Sequence, residues 1–143
     1  MKYERIVYMR ETLELSQREM AKLLNISKST YGRWETGEKI IPLKHLINMC
    51  NITMIPLDYA LGLTNKKEPL KEKIKIDKKD FGSKLKQIRI KHNLTQDELA
   101  KMLNTTQSVI SAYENGKNLI QTAFLYDECN KFEIEINIIL KDS

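Results

Sequence analysis

Two short runs of polar side chains hold most of the hydrogen-bonding chemistry in this chain. Ser27, Lys28, Ser29, Gly32 and Arg33 fall within seven residues, and Thr106, Gln107, Ser108, Ser111 and Ala112 repeat their spacing 79 residues later. Hydroxyls, amides and cations of this kind donate and accept hydrogen bonds and pair with anions. Groups suited to covalent or metal chemistry are scarce. The thiols are Cys50 and Cys129 and the imidazoles His45 and His92, and no structural zinc site is expected from them. Both cysteines fall on the inner side of a helix, where a small apolar residue packs, and both histidines are isolated and expected to face solvent. The sequence has no glycine-rich phosphate loop, no nucleophile with an adjacent base and no metal-ligand cluster. The chain is therefore read as a non-enzyme that needs no cofactor and no metal.

The polar runs belong to a duplicated unit. Arg10–Gly37 (RETLELSQREMAKLLNISKSTYGRWETG) aligns without a gap on Arg89–Gly116 (RIKHNLTQDELAKMLNTTQSVISAYENG), with 11 of 28 positions identical. Most of the others exchange like for like, as Ser16 with Thr95 and Trp34 with Tyr113. The two cysteines also keep the offset, 129 − 50 = 79. Two copies at so long a period make two domains, not a solenoid.

Within each copy the apolar spacing is helical. Helix one covers about Tyr3 to Leu13, and Phe81 to Lys91 in the second copy. Helix two opens on a capping box, Ser16 with Glu19 and Thr95 with Glu98, flanked by Leu15 and Met20 or by Leu94 and Leu99. It ends at Asn25 or Asn104, a residue type that tolerates the left-handed turn. Helix three begins after Ser27 or Thr106 and is stopped by Gly37 or Gly116. Pro42 opens helix four, Leu43 to Cys50, and a fifth covers Leu57 to Leu61. Their counterparts are Thr122 to Cys129 and Ile136 to Leu140. Helices two and three, joined by about three residues, have the spacing of a helix-turn-helix. Ala21 and Ala100 must be small where the two helices cross, and Leu24, Ile26, Tyr31 and Trp34 point inward.

Composition fits this organisation. Charged residues are 30% of the chain and the formal net charge is +5, compatible with a polyanionic partner. The copies span residues 1–64 and 81–143, with a Lys-rich linker over 65–80 (NKKEPLKEKIKIDKKD). Net charge is +2, +3 and 0 over residues 1–64, 65–80 and 81–143, and the second copy divides into +3 over 81–120 and −3 over 121–143. Fully extended, sixteen linker residues reach roughly 50–58 Å, and as a coil about 20–24 Å. Ile74 and Ile76 leave open a short extended segment packed on a domain. No apolar run is long enough to span a membrane, and the amino-terminal stretch carries acids that a signal peptide lacks. The expected location is the cytoplasm, with no membrane partner.

LSQREMAKLLNISKSTYGRWETG and LTQDELAKMLNTTQSVISAYENG resemble the Cro/phage-repressor (xenobiotic-response-element) class of helix-turn-helix domains. The resemblance lies in the Leu-Ser/Thr-Gln start, the Glu-x-x-Ala-Lys run, the Lys/Gln-Ser opening of helix three and the Trp/Tyr-Glu-x-Gly ending. IPLDYALGLT (Ile55 to Thr64) is similar to that family's fifth helix. The resemblance implies an all-α chain of two small five-helix lambda-repressor-like domains joined by a basic linker. It implies structural pairs between Arg10 and Glu35 and between Arg89 and Glu114. It also implies that the third helices read base edges in the major groove of double-stranded DNA. The reading positions are then Ser27, Lys28, Ser29, Gly32 and Arg33, with Thr106, Gln107, Ser108, Ser111 and Ala112 in the second copy. Lys28 and Arg33 suit guanine, Gln107 suits adenine and Ala112 a thymine methyl, so the copies should read different sequences. Gln17 and Gln96 at the start of helix two, with Lys39, Asn115 and Lys117 beside helix three, are expected at phosphates.

The resulting expectation is a transcriptional regulator, a repressor that occludes a promoter, working as a homodimer or as a single-chain pseudo-dimer. Two alternatives stay open: an antitoxin-type autoregulator, and a chain whose second copy serves dimerisation or a protein partner.

Overall fold

The computed structural model describes residues 3–140, without the side chains of Asn137 and Ile138; the expected outer bounds at Met1 and Ser143 lie outside the described residues. Ten helices and no strand occur among the described residues. They fall into two compact units, Met1–Ile74 and Lys75–Ser143.

The first unit holds α1 (Glu4–Thr12), α2 (Gln17–Leu23), α3 (Lys28–Thr36), α4 (Leu43–Thr53) and α5 (Leu57–Leu61). Local chemistry fixes where each begins and ends. Ser16 accepts from the Glu19 N–H while Glu19 accepts from the Ser16 N–H, each at 3.0 Å, satisfying two amides that α2 leaves open. Asn25 takes φ 58° to turn the chain, Ser27 caps α3, and Gly37 at φ 80° ends it. Met54 at φ 58° ends α4, three residues beyond the expected Cys50. Helix α1 lies against α3, α4 and α5, and α2 packs on α3. The core between them includes Ile6, Met9, Met20, Tyr31, Leu46 and Leu61. Cys50 is buried there, which pushes its thiol pKa up.

The second unit repeats the plan with α6 (Lys78–Lys91), α7 (Gln96–Met102), α8 (Gln107–Glu114), α9 (Thr122–Phe132) and α10 (Ile136–Leu140). Thr95 and Glu98 form the same reciprocal cap, and Asn104 the same left-handed turn at φ 60°. Helix α6 starts three residues earlier than Phe81 because the Asp77 carboxylate accepts from the Lys79 and Asp80 amides. Gly82 lets α6 lie directly on the end of α8, since a Cβ there would collide with the Tyr113 and Glu114 carbonyls. Cys129 is buried in this core, and burial pushes its thiol up to about 12.

The expected 65–80 linker is not a free segment over that length. Residues through Ile74 belong to the first unit and residues from Lys75 to the second. Backbone hydrogen bonds explain the difference. Leu70 N–H donates to the Met54 carbonyl at 2.8 Å, and Ile74 exchanges two bonds with the Asn51 amide.

Candidate nucleic-acid interface

Helices α2 and α3 are tied from behind by a largely buried ion pair. Arg10 Nε and Nη2 donate to Glu35 Oε2 and Oε1 at 2.7 and 3.0 Å, a two-bond planar pairing. Arg10 Nη1 also donates to the Leu15 carbonyl at 2.8 Å, tying in the turn before α2. Arg89 and Glu114 repeat these distances at 2.7 and 3.0 Å, with Leu94 in place of Leu15 at 2.7 Å. Burial pushes the Glu35 carboxyl up, but the hydrogen bonds it accepts from Arg10 and Gln17 outweigh this and hold it below the usual carboxylate range.

A third member of this cluster was not expected from the sequence. Gln17 Nε2 donates to Glu35 Oε1 at 3.0 Å, and Gln96 Nε2 to Glu114 Oε1 at 3.1 Å. These glutamines, expected at phosphates, already use an amide hydrogen inside the unit. The signal available in the sequence was that glutamine is identical in both copies, directly after the cap.

In the second unit the network reaches the surface. Gln107 Nε2 donates to Gln96 Oε1 at 2.6 Å. The amide orientations follow from elementary chemistry. A carboxylate only accepts, so Gln96 must turn its NH₂ to Glu114 and its oxygen outward; Gln107 must then turn its own NH₂ to that oxygen. Gln107 is thereby left with a free carbonyl oxygen and one further N–H on an exposed helix start. In the first unit Lys28 stands at this position.

The outward faces of α3 and α8 carry the residues singled out by spacing. Ser27, Lys28, Ser29 and Arg33 are exposed and Gly32 half-buried; Thr106, Gln107 and Ser108 are exposed, with Ser111 and Ala112 half-buried. Ser27 and Thr106 are partly engaged as caps, accepting from the Thr30 and Val109 amides. Arg33 has one loose partner, Glu38 at 3.9 Å, both side chains being more than half exposed. Lys39 and Lys117 lie exposed just past α3 and α8. Asn115 Oδ1 accepts from the Lys117 N–H at 2.9 Å, which leaves the Asn115 NH₂ as its donor.

Gly32 has no packing reason to be glycine. A Cβ there would meet only Gln17 Oε1 at 3.7 Å, an ordinary contact.

One expectation is corrected and another holds with added contacts. His45 is not solvent-facing: its ring stacks on Trp34 at 5.2 Å, and its Nδ1 is buried without a hydrogen-bond partner. His92 is exposed, yet its ring lies 4.4 Å from Phe132 and its Nδ1 is 2.8 Å from the Ile88 carbonyl. Among the described residues no group of three or more His, Cys, Asp or Glu is placed to hold a metal, and no helix is long and apolar enough to cross a membrane.

These two tripartite locks, each behind a capped and exposed third helix, define a helix-turn-helix protein. Comparison with known families agrees: residues 6–59 match the helix-turn-helix family, and residues 82–142 match a further helix-turn-helix domain family. The chain thus carries two helix-turn-helix domains of xenobiotic-response-element type in tandem. It is 32% identical over 70 residues to "Uncharacterized HTH-type transcriptional regulator YobD" of Bacillus subtilis, covering 49% of this chain and 62% of the relative. It is 32% identical over 63 residues to "Antitoxin PezA" of Streptococcus pneumoniae, covering 43% of this chain and 40% of that protein. The chain thus spans less than two thirds of either relative. No solved structure gives a significant match.

Proposed function

We propose that the chain binds double-stranded DNA in the cytoplasm with two heads of different sequence preference, and regulates transcription as a repressor by occupying a promoter. The observation that carries this reading is the Arg89–Glu114–Gln96–Gln107 network. It leaves Gln107 with one acceptor and one donor pointing outward, the pattern that matches N6–H and N7 of adenine in the major groove. In the first head Lys28 and Arg33 present cations suited to guanine, and Gly32 lets α3 approach the base edges closely. Ser27, Ser29, Thr106, Ser108, Ser111 and Ala112 complete the two reading faces. Lys39 and Lys117, with the Asn115 NH₂ and the second amide hydrogens of Gln17 and Gln96, meet phosphates. The similarity to a protein named as a transcriptional regulator supports the regulatory role.

A titration of the intact chain onto a labelled mixed-sequence duplex tests DNA binding itself. Affinity should fall steeply from about 50 to 200 mM salt as phosphate contacts release counterions. Absence of binding even at the lower salt overturns the reading. The similarity to a named antitoxin favours a second reading, in which the same DNA binding is autoregulatory and one head also holds a protein partner.

A further inference from the structure

We propose that Asn51 determines the spacing between the two DNA half-sites, because it holds residues 71–74 on the first unit and so shortens the free chain between the heads. This rests on the two-headed reading above. One primary amide carries an acceptor and a donor side by side, the same pair that an extended backbone residue offers. Asn51 uses both on one residue: Ile74 N–H donates to its Oδ1 at 2.7 Å and its Nδ2 donates to the Ile74 carbonyl at 2.9 Å. The segment before Ile74 is tied down at intervals. Arg5 donates to the Thr64 carbonyl at 2.9 Å and to Asn65 Oδ1 at 2.7 Å. The Lys67 ammonium lies over the Tyr8 ring at 4.3 Å. Leu70 N–H donates to the carbonyl of Met54, whose left-handed backbone ends α4.

Beyond Ile74 only Lys75 and Ile76 remain before Asp77 caps α6. Three residue steps span at most about 10–11 Å. Releasing the Asn51 clamp frees the chain back to Leu70, seven steps from Asp77 and roughly 23–25 Å. The gain of roughly 13–14 Å corresponds to about four base pairs of duplex, at the ~34 Å per ten-base-pair turn of DNA. The clamped chain should therefore accept a narrow range of half-site spacings, and the released chain a wider one.

The test uses the intact chain and its Asn51→Ala variant on duplexes in which the two selected half-sites are separated by spacers of graded length. The intact chain should bind a narrow set of spacings tightly. Asn51→Ala should broaden that set by about four base pairs, with affinity for each isolated half-site unchanged. Asn51→Asp, which keeps the acceptor for Ile74 N–H but lacks the donor, should lie between. Amide hydrogen exchange without DNA gives a second readout: Ile74 N–H should be protected in the intact chain and lose protection in Asn51→Ala. An identical spacing profile in both chains, with isolated half-sites still bound, overturns the role of Asn51 and leaves the two-headed reading standing. Ile74 exchanging at the free-chain rate in the intact protein overturns the clamp whatever the DNA result. Failure of either head to bind any half-site overturns the reading itself, and the spacing role with it.

Discussion

Glu128 is buried in the second unit with 2% of its surface exposed, and its Oε1 has no hydrogen-bond partner. Burial, with the Glu114 charge added, pushes its carboxyl up to about 7. A carboxyl raised in the folded state binds its proton more tightly there than in the unfolded chain. Its stabilising contribution is full below about pH 4.5, and is lost as pH rises from there through about 7. The loss is on the order of 3 kcal/mol. The first unit carries Met49 at the matching position, fully buried. Glu128→Met should therefore stabilise the second unit at pH 8 and flatten its stability between pH 5 and 8, read from denaturant midpoints; an unchanged profile would contradict this. Glu128 could have been found in the sequence by carrying the 79-residue offset past the aligned region, where it faces a core methionine. The Gln17 and Gln96 bonds were harder to foresee, because nothing in the spacing says whether a side chain at a helix start turns outward or back to a buried carboxylate 18 residues on. Gly32 gives a second stabilising substitution, with a cost in binding. With open space for a Cβ, Gly32→Ala should stabilise α3 by up to about 1 kcal/mol while weakening DNA binding by the first head, measured as melting temperature against duplex affinity.

Helix starts and stops were the most legible elements, because each is written in one or two local residues: Ser16 with Glu19, Thr95 with Glu98, Asn25 and Asn104 at the turns, Gly37 after α3. Two other ends were not. Helix α6 begins at Lys78 because Asp77 happens to cap it, and α4 runs on to Thr53 until Met54 turns left-handed. The approach of α6 to α8 depends on Gly82, which has no special backbone angle to betray it; its Cβ is simply forbidden by the Tyr113 and Glu114 carbonyls. Those carbonyls belong to rigid helix backbone and cannot give way as a flexible side chain would. Gly82→Ala should cost about 1–3 kcal/mol of second-unit stability, seen as a lower denaturant midpoint for that unit. A midpoint equal to that of the intact chain would show that α6 does not bear on α8 as closely as described.

For the whole molecule, duplication was visible at once, and with it the two units and their shared helical plan. The division between them was not. A Lys-rich stretch broken by Pro69 has the composition of a solvated tether, yet Asn51 and Met54 bond its backbone from 20 or so residues away. Bonds of this kind, from a distant side chain or carbonyl to the backbone of the stretch, leave no mark in its own composition. Each unit has its own buried core and its own Arg–Glu–Gln lock, and different side chains stand outside the two locks. The central claim is that each third helix reads its own half-site. The most direct measurement is selection of bound duplexes from a random library, using the intact chain, Arg33→Ala and Gln107→Ala. Two distinct enriched half-sites, one relaxed by Arg33→Ala and the other by Gln107→Ala, are the predicted result. A single palindromic site that responds to Arg33→Ala alone would contradict it, and would make the first unit the only reader and the second its scaffold.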